Sequence, residues 1–248
     1  MSIKNPLQFM TGFTFRGIRR VQEDCIYSNQ DKGIFTICDG FGGPETGNLV
    51  SKLTCDAIKN FLEKEAGDIE ATLPFVLRSY FSLASNVLFN ALLFANQKVW
   101  SFNQDREINQ KGGASVLSCF IDGDLLSIAN VGVCSVWLER NRKLIELVTP
   151  RSYGRMLNPT VLDHDIELKV PLMAIGMSED LEPEIVEYKI LPGDWILMQT
   201  DGLSALQRSF IFDLKKSPFD NKKVIDDIKE RLQSEAFSDN ASLLLLGF

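Results

Sequence analysis

Carboxylates beside glycines are the residues of this chain whose types and spacing most suggest chemistry. Asp39 ends an apolar run and opens Asp39-Gly40-Phe41-Gly42-Gly43. Asp201 follows the run Trp195 to Thr200 and opens Asp201-Gly202-Leu203. Asp239 opens Asp239-Asn240 just ahead of the apolar C-terminal run, and Glu23-Asp24 precedes a further β-rich run. A carboxylate just past a buried strand stands at a sheet edge, where glycine lets a ligand or an ion approach the backbone. Carboxylates converging there repel one another unless a cation neutralises them, and hard oxygen ligands select Mg2+ or Mn2+ over Zn2+. Each Asp-Gly pair also fits a simple turn. Spacing alone leaves both readings open.

Positioning such groups requires strands that end where the carboxylates begin. Strands are expected at Phe13 to Gly17, Asp24 to Ser28 and Gly33 to Asp39, the last being GIFTICDG, apolar and stopped by glycine. Pro44 to Lys64 turns helical, with Leu49, Leu53, Ala57, Phe61 and Leu62 close to one stripe. Tyr80, Ala84, Val87, Leu88, Ala91, Leu92 and Ala95 repeat that spacing and predict a second, longer helix. Hairpins are expected at Ala114 to Ile121 with Leu125 to Asn130, and at Val133 to Arg140 with Lys143 to Val148. A third hairpin, Ile185 to Ile190 with Trp195 to Thr200, is expected around Leu191-Pro192-Gly193-Asp194. Residues 149–183 carry Pro150, Pro159 and Pro171 without a sustained period and read as an irregular excursion. Helical patterns resume at Leu203 and at Lys222 to Ser234, and a strand from Ala241 to Phe248 closes the chain. Hairpins with segregated helices imply an α+β fold with antiparallel sheet, read as one domain over 1–248.

Composition narrows the function. The 248 residues carry 33 acidic and 26 basic side chains, a formal charge of −7, with 45% hydrophobic and 24% charged residues. These proportions exclude a disordered or fibrous chain. The acidic balance argues against nucleic acid and anionic membrane surfaces as partners, since both are bound through Lys and Arg. The N-terminus has no apolar run long enough for a signal peptide, and the apolar stretch Phe75 to Trp100 is interrupted by Arg78, Asn86, Asn90 and Lys98. No membrane span is expected. Five cysteines form no CxxC pair, and four sit in apolar runs, which fits free thiols in a reducing cytoplasm.

Taken in order, Gly17 to Asp24 (GIRRVQED), Asp39 to Gly43 (DGFGG), Gly193 to Leu203 (GDWILMQTDGL) and Asp239-Asn240 resemble the type 2C metal-dependent protein phosphatases. The resemblance runs from about Gly12 to Phe248. It implies a four-layer α-β-β-α sandwich, two central antiparallel sheets flanked by helices, and hydrolysis of phosphoserine or phosphothreonine with two Mn2+ or Mg2+ ions. By that resemblance Asp39 bridges the metals, the Gly40 carbonyl and Glu23 bind the second, and Asp201 and Asp239 complete the first. Arg19 matches the arginine that grips the substrate phosphate, a role suited to its fork of donors. The implied partners are a phosphorylated protein and a cognate kinase pathway, with the protein acting in signalling. Two ions lower the pKa of a water between them and stabilise in-line displacement, so no nucleophilic side chain is required.

The sequence also departs from that family. Gly132-Val133-Cys134-Ser135 stands where Gly-Asp-Ser-Arg is usual, and Ala205 stands where a further Asp is common. Both losses fall on a third, weaker metal site, which is expected to be absent. The Thr-Asp-His signature is missing after Thr149, the excursion is a shortened flap, and Phe41 replaces a His of many eukaryotic members, which favours a bacterial origin. Reduced turnover is the expected consequence. The alternative is a weak or inactive phosphatase-fold protein that binds a phosphorylated partner or regulator. His164, the only histidine, reads as an exposed loop residue, and its neighbours Asp163 and Asp165 as a solvated turn. Lys215-Lys216 and Lys222-Lys223 read as solvated faces, while Arg151 and Arg155 are candidates for steering a phosphorylated substrate. A paired-carboxylate glycosidase is compatible with the acids, but nothing favours a sugar.

Overall fold

The computed structural model describes residues 6–43, 45–65, 77–157, 169–214, 221–235 and 237–248. Strands β1 (Phe9–Phe15), β2 (Asp24–Asn29) and β3 (Ile34–Gly42) lead into helices α1 (Thr46–Glu65) and α2 (Leu83–Gln104). Four strands follow: β4 (Gly112–Asp122), β5 (Leu125–Val131), β6 (Ser135–Arg140) and β7 (Lys143–Val148). The short α3 (Tyr153–Leu157) precedes β8 (Glu184–Lys189) and β9 (Trp195–Gln199). Helices α4 (Ala205–Leu214) and α5 (Asn221–Gln233) and strand β10 (Ala241–Gly247) complete the chain.

The strands form two five-stranded antiparallel sheets, ordered β1-β10-β9-β6-β7 and β2-β3-β4-β5-β8. Side chains alternate across each strand, and both faces of the central strands are buried. On β3, Phe35 and Ile37 point between the sheets while Ile34 and Cys38 point to the helices. On β10, Leu244 and Leu246 face the other sheet while Leu243 and Leu245 face α4 and α5. Helices α1 and α2 pack Ile58, Leu62, Leu88 and Leu92 onto the β3 sheet, and α4 and α5 pack Ile211 and Ile228 onto the β10 sheet. This is the expected four-layer α-β-β-α sandwich.

The first two hairpins form as the sequence predicts. Between β6 and β7 the turn residues Asn141 and Arg142 both take left-handed φ, 53° and 62°, as a two-residue hairpin of this hand demands. The third hairpin does not form. β8 pairs with β5 and β9 pairs with β10 and β6, so the two strands lie in different sheets. The Leu191 to Asp194 turn carries the chain across the sandwich instead. The Asp194 carboxylate, 3% exposed, accepts from Arg140 at 2.9 and 2.6 Å and from the Leu191 amide at 2.8 Å. Arg140 also donates to the Lys189 carbonyl at 2.7 Å, so one arginine straps the end of β8 to the end of β6 in the other sheet.

Other expectations shift by small amounts. β1 begins at Phe9 and ends at Phe15, not Gly17. The second helix begins at Leu83, capped by Ser82, whose hydroxyl accepts from the Ser85 amide at 3.1 Å, and Tyr80 lies ahead of it, 70% exposed. On α1 the buried stripe runs through Val50, Thr54, Ile58 and Leu62, while Leu49 is 52% exposed. Its anchor is Gly47, which touches the sheet. The 149–183 excursion is tied down by α3 and by bridges Ser152↔Pro171 and Ala114↔Ile175. His164, Asp163, Asp165 and Lys215-Lys216 lie outside the described residues. Among the described residues no helix is long and apolar enough to cross a membrane.

Asp194→Ala leaves the Arg140 guanidinium without its buried partner and frees the crossing turn. We expect a loss of about 3 kcal/mol in urea unfolding, since breaking one side of a buried ion pair costs that order. A loss below about 1 kcal/mol, the range of an exposed pair, would contradict the strap.

Candidate functional site

Both sheets end at one place, and the carboxylates come from their ends. β2 and β3 pair with Asp24 opposite Asp39. On the other sheet β9 and β10 are antiparallel neighbours, so Asp201, just past β9, and Asp239, just before β10, emerge side by side. The β1–β2 connection crosses between the sheets and brings Arg19 and Glu23. Glu23, Asp39, Gly40, Asp201, Asp239 and Arg19 all line one cavity of about 790 Å3. All six sequence candidates therefore meet.

Hydrogen bonds fix this convergence. The Asn240 amide donates to the carbonyls of Arg16 at 2.8 Å and Val21 at 3.1 Å, and its oxygen accepts from the Glu23 amide at 2.8 Å. It clamps the Arg19 loop to the Asp239 turn. Thr200 donates from its hydroxyl to the Asp24 carboxylate at 2.9 Å, tying one sheet to the other directly beneath Asp39. Behind β3, a Cβ on Gly40 would collide with the Gly47 carbonyl and meet Ser51 Cβ at 2.9 Å. A Cβ on Gly47 would strike the Glu23 carboxylate and meet the Gly40 carbonyl at 2.9 Å. Only glycine allows this approach, which sets Glu23 against the first turn of α1, where the helix dipole favours an anion.

The acids crowd one another. Burial first, then the charges of Asp201, Asp24, Asp239 and Glu23, hold the Asp39 carboxyl well above its usual range. Burial pushes Asp24 up to about 7 against the opposing hydrogen bonds of Ser242 and Thr200. Glu23 and Asp201 are raised too, chiefly by burial, with Arg19 and Lys169 partly offsetting the effect. Two side-chain cations sit on the cluster: Arg19 bonds the Asp239 carboxylate at 2.6 Å, and the Lys169 ammonium lies 3.9 Å from that of Asp201.

This donor set, four carboxylates and a backbone carbonyl, is the hard-oxygen chemistry that suits Mg2+ or Mn2+. The second Asp24 oxygen is buried without a hydrogen-bond partner, a further sign of uncompensated negative charge. Among the described residues no group of three Asp, Glu, His or Cys side chains is disposed to hold an ion as it stands. Carboxylates without a counter-ion stand apart, and Arg19 and Lys169 occupy two of them. The residues fit the metal reading in identity and convergence.

Arg151 and Arg155 are engaged elsewhere, with Glu184 at 3.0 Å and, bidentately, Glu146 at 2.9 and 3.1 Å, and neither lines the cavity. Val133 does line it, buried and apolar, its amide bonded to the Ser115 hydroxyl at 3.2 Å. Sequence reasoning missed Asp24, Thr200, Asn240 and Lys169 as parts of the site. Asp24, Thr200 and Asn240 lie within the motifs but were given no role there. Lys169 carried none, because nothing in its local pattern ties it to Asp201.

No protein-family model matches the chain. The fold, however, is that of the PPM-type serine/threonine phosphatases. The structure of PstP/Ppp from Mycobacterium tuberculosis superposes with a TM-score of 0.78 at 16% identity, covering 97% of this chain and 98% of that one. A PstP catalytic domain in complex with two manganese ions matches at a TM-score of 0.74 and 16% identity, over 96% and 97% of the two chains. In sequence, the protein phosphatase PhpP of Streptococcus pneumoniae is 21% identical over 175 residues, 68% of this chain. The match spans 66% of PhpP, slightly under two thirds of its length. The type 2C resemblance read from the motifs thus extends to the architecture.

The acid cluster makes stability depend on pH. A carboxyl that binds its proton more tightly folded than unfolded favours folding at low pH, and that contribution is lost as pH rises from the unfolded pKa through the folded one. For Asp24 the fade runs from 3.8 to about 7. In chelator-treated protein, calorimetric midpoints of the wild type should fall relative to Asp24→Asn across that window. A constant difference between the two proteins would refute the shift.

Proposed function

We propose that this chain is a divalent-metal-dependent serine/threonine protein phosphatase of bacterial type, one phosphatase domain over 1–248 with 149–183 as a shortened flap. The observation that carries the reading is the meeting of Glu23, Asp39, Asp201 and Asp239, from four separated segments, in one cavity with Arg19. The phosphatase fold and the two manganese ions of the PstP structure support it.

In this reading Asp39 would be the ligand common to two Mn2+ or Mg2+ ions. Glu23 and the Gly40 carbonyl hold one, and Asp201 and Asp239 hold the other. When bound, such ions acidify water and neutralise charge building on a phosphoryl group. Arg19, 53% exposed, turns from Asp239 to the phosphate, where its fork of donors matches two oxygens. Val133 and Ala205 offer no oxygen for a third ion, so the centre takes two and turnover is lowered. The substrate is a phosphorylated protein, opposed by a cognate kinase, in the cytoplasm.

Hydrolysis of a phosphothreonine peptide with Mn2+ tests the assignment. Asp39→Asn should slow it at least about a hundredfold, as loss of a primary ligand exceeds the ten- to hundredfold effect of outer-shell changes. Equal rates in the two proteins would sink it. No hydrolysis by the wild type, with phosphopeptide still bound, would select the non-catalytic phosphate-binding reading instead.

Ion stoichiometry gives a separate check. Calorimetric titration should find two Mn2+ ions per chain, and a third tight ion would show that the apolar wall at Val133 does not limit the site.

A further inference from the structure

The site holds a second cation that the motifs do not supply. Lys169 donates from its ammonium to the Asp201 backbone carbonyl, and its charge lies 3.9 Å from the Asp201 carboxylate. It lines the same cavity as Arg19, from the opposite side of the acid cluster in the chain's path. The two arrangements differ in kind: Arg19 bonds the Asp239 carboxylate at 2.6 Å, whereas Lys169 bonds the Asp201 backbone carbonyl and faces its carboxylate from 3.9 Å, and both carboxylates are proposed metal ligands. We infer that Lys169 is a second phosphate-binding residue of this centre, parked on Asp201 until divalent ions take that carboxylate over.

The surrounding structure allows such a move while fixing where it starts. The backbone beyond Lys169 is anchored: the Tyr153 amide donates to the Val170 carbonyl and the Leu172 amide to the Arg151 carbonyl, each at 3.0 Å. Further along, buried Asn96 and Asn103 of α2 hold Gly176 at 2.7 and 2.9 Å. The lysine stem therefore starts from a fixed wall, and only its four methylenes need to turn. The side chain is 33% exposed, so its head reaches cavity solvent. Val170, Leu172 and Met173 beside it in the cavity lining carry no side-chain oxygen. Once a divalent ion binds Asp201, the ammonium is repelled by the ion and loses its carboxylate. An incoming phosphate then offers the ammonium anionic oxygens, and a charge-assisted hydrogen bond to phosphate replaces the one to the neutral Asp201 carbonyl.

The inference rests on the phosphatase reading, and binding measurements separate the two. Inorganic phosphate is titrated calorimetrically into Mn2+-loaded wild type, Lys169→Met and Lys169→Arg. Loss of one charge-assisted hydrogen bond should weaken phosphate about tenfold in Lys169→Met, while Lys169→Arg keeps most of the affinity. In the metal-free proteins, Lys169→Met should bind Mn2+ several-fold more tightly, because a competing cation is gone. Phosphate and Mn2+ affinities both within twofold of wild type would overturn the role of Lys169 alone. A wild type that binds Mn2+ but no phosphate would overturn the phosphatase reading and the lysine's role together.

Discussion

Mutual repulsion among carboxylates is the constraint on which this structure turns. Glu23, Asp24, Asp39, Asp201 and Asp239 gather where the two sheets end, and burial together with neighbouring charge raises the proton affinity of Glu23, Asp24, Asp39 and Asp201. Nothing in a folded chain assembles such a group unless other interactions outweigh the cost. Here they do so from below: Phe35, Ile37, Leu244 and Leu246 fill the space between the sheets and lock the two into one sandwich. The apolar core is what forces the acids together.

The charges are then managed locally by three devices of different reach. Thr200 and Asn240 supply neutral hydrogen bonds that orient backbone and carboxylate without changing net charge. Arg19 and Lys169 supply movable positive charge from exposed stems. Gly40 and Gly47 supply proximity, bringing the positive end of α1 against Glu23. Only the side-chain cations can leave. In the proposed reading a divalent ion entering the cluster would displace Arg19 and Lys169 and leave the hydrogen-bonded frame in place.

Much of this was legible in the sequence, because it follows from local pattern. Strand β3 reads from its continuous apolar run, although it does not stop at Asp39 as the glycines suggest but continues paired with β4 to Gly42. The hairpins β4–β5 and β6–β7 read from two-residue turns. What failed was non-local. Leu191 to Asp194 has the composition of a hairpin turn, yet Asp194 and Arg140 use it to cross between sheets, and no local pattern distinguishes the two. The stripe of α1 holds at Leu53, Ala57, Phe61 and Leu62 and fails only at Leu49, where Val50 is the buried residue instead. The motif residues of the site were found from their order along the chain, whereas Lys169 meets Asp201 only through the fold.

The same electrostatics bears on which nucleophile this site can use. Cys38 and Cys134 flank Asp39, one beside it in β3 and the other in the segment entering β6. Both are wholly buried; burial raises the Cys38 thiol, and burial together with Asp39, Asp24 and Asp201 holds the Cys134 thiol well above the ordinary range. A thiolate is the reactive form, so these cysteines are suppressed by the very cluster they adjoin. No cysteine or histidine lines the cavity among the described residues, and Ser115 there lends its hydroxyl to the Val133 amide. A serine without a neighbouring base is a poor nucleophile at neutral pH. The cluster thus suppresses the two thiols beside it, and its hard-oxygen carboxylates are the ligand type that suits the cations of the proposed reading.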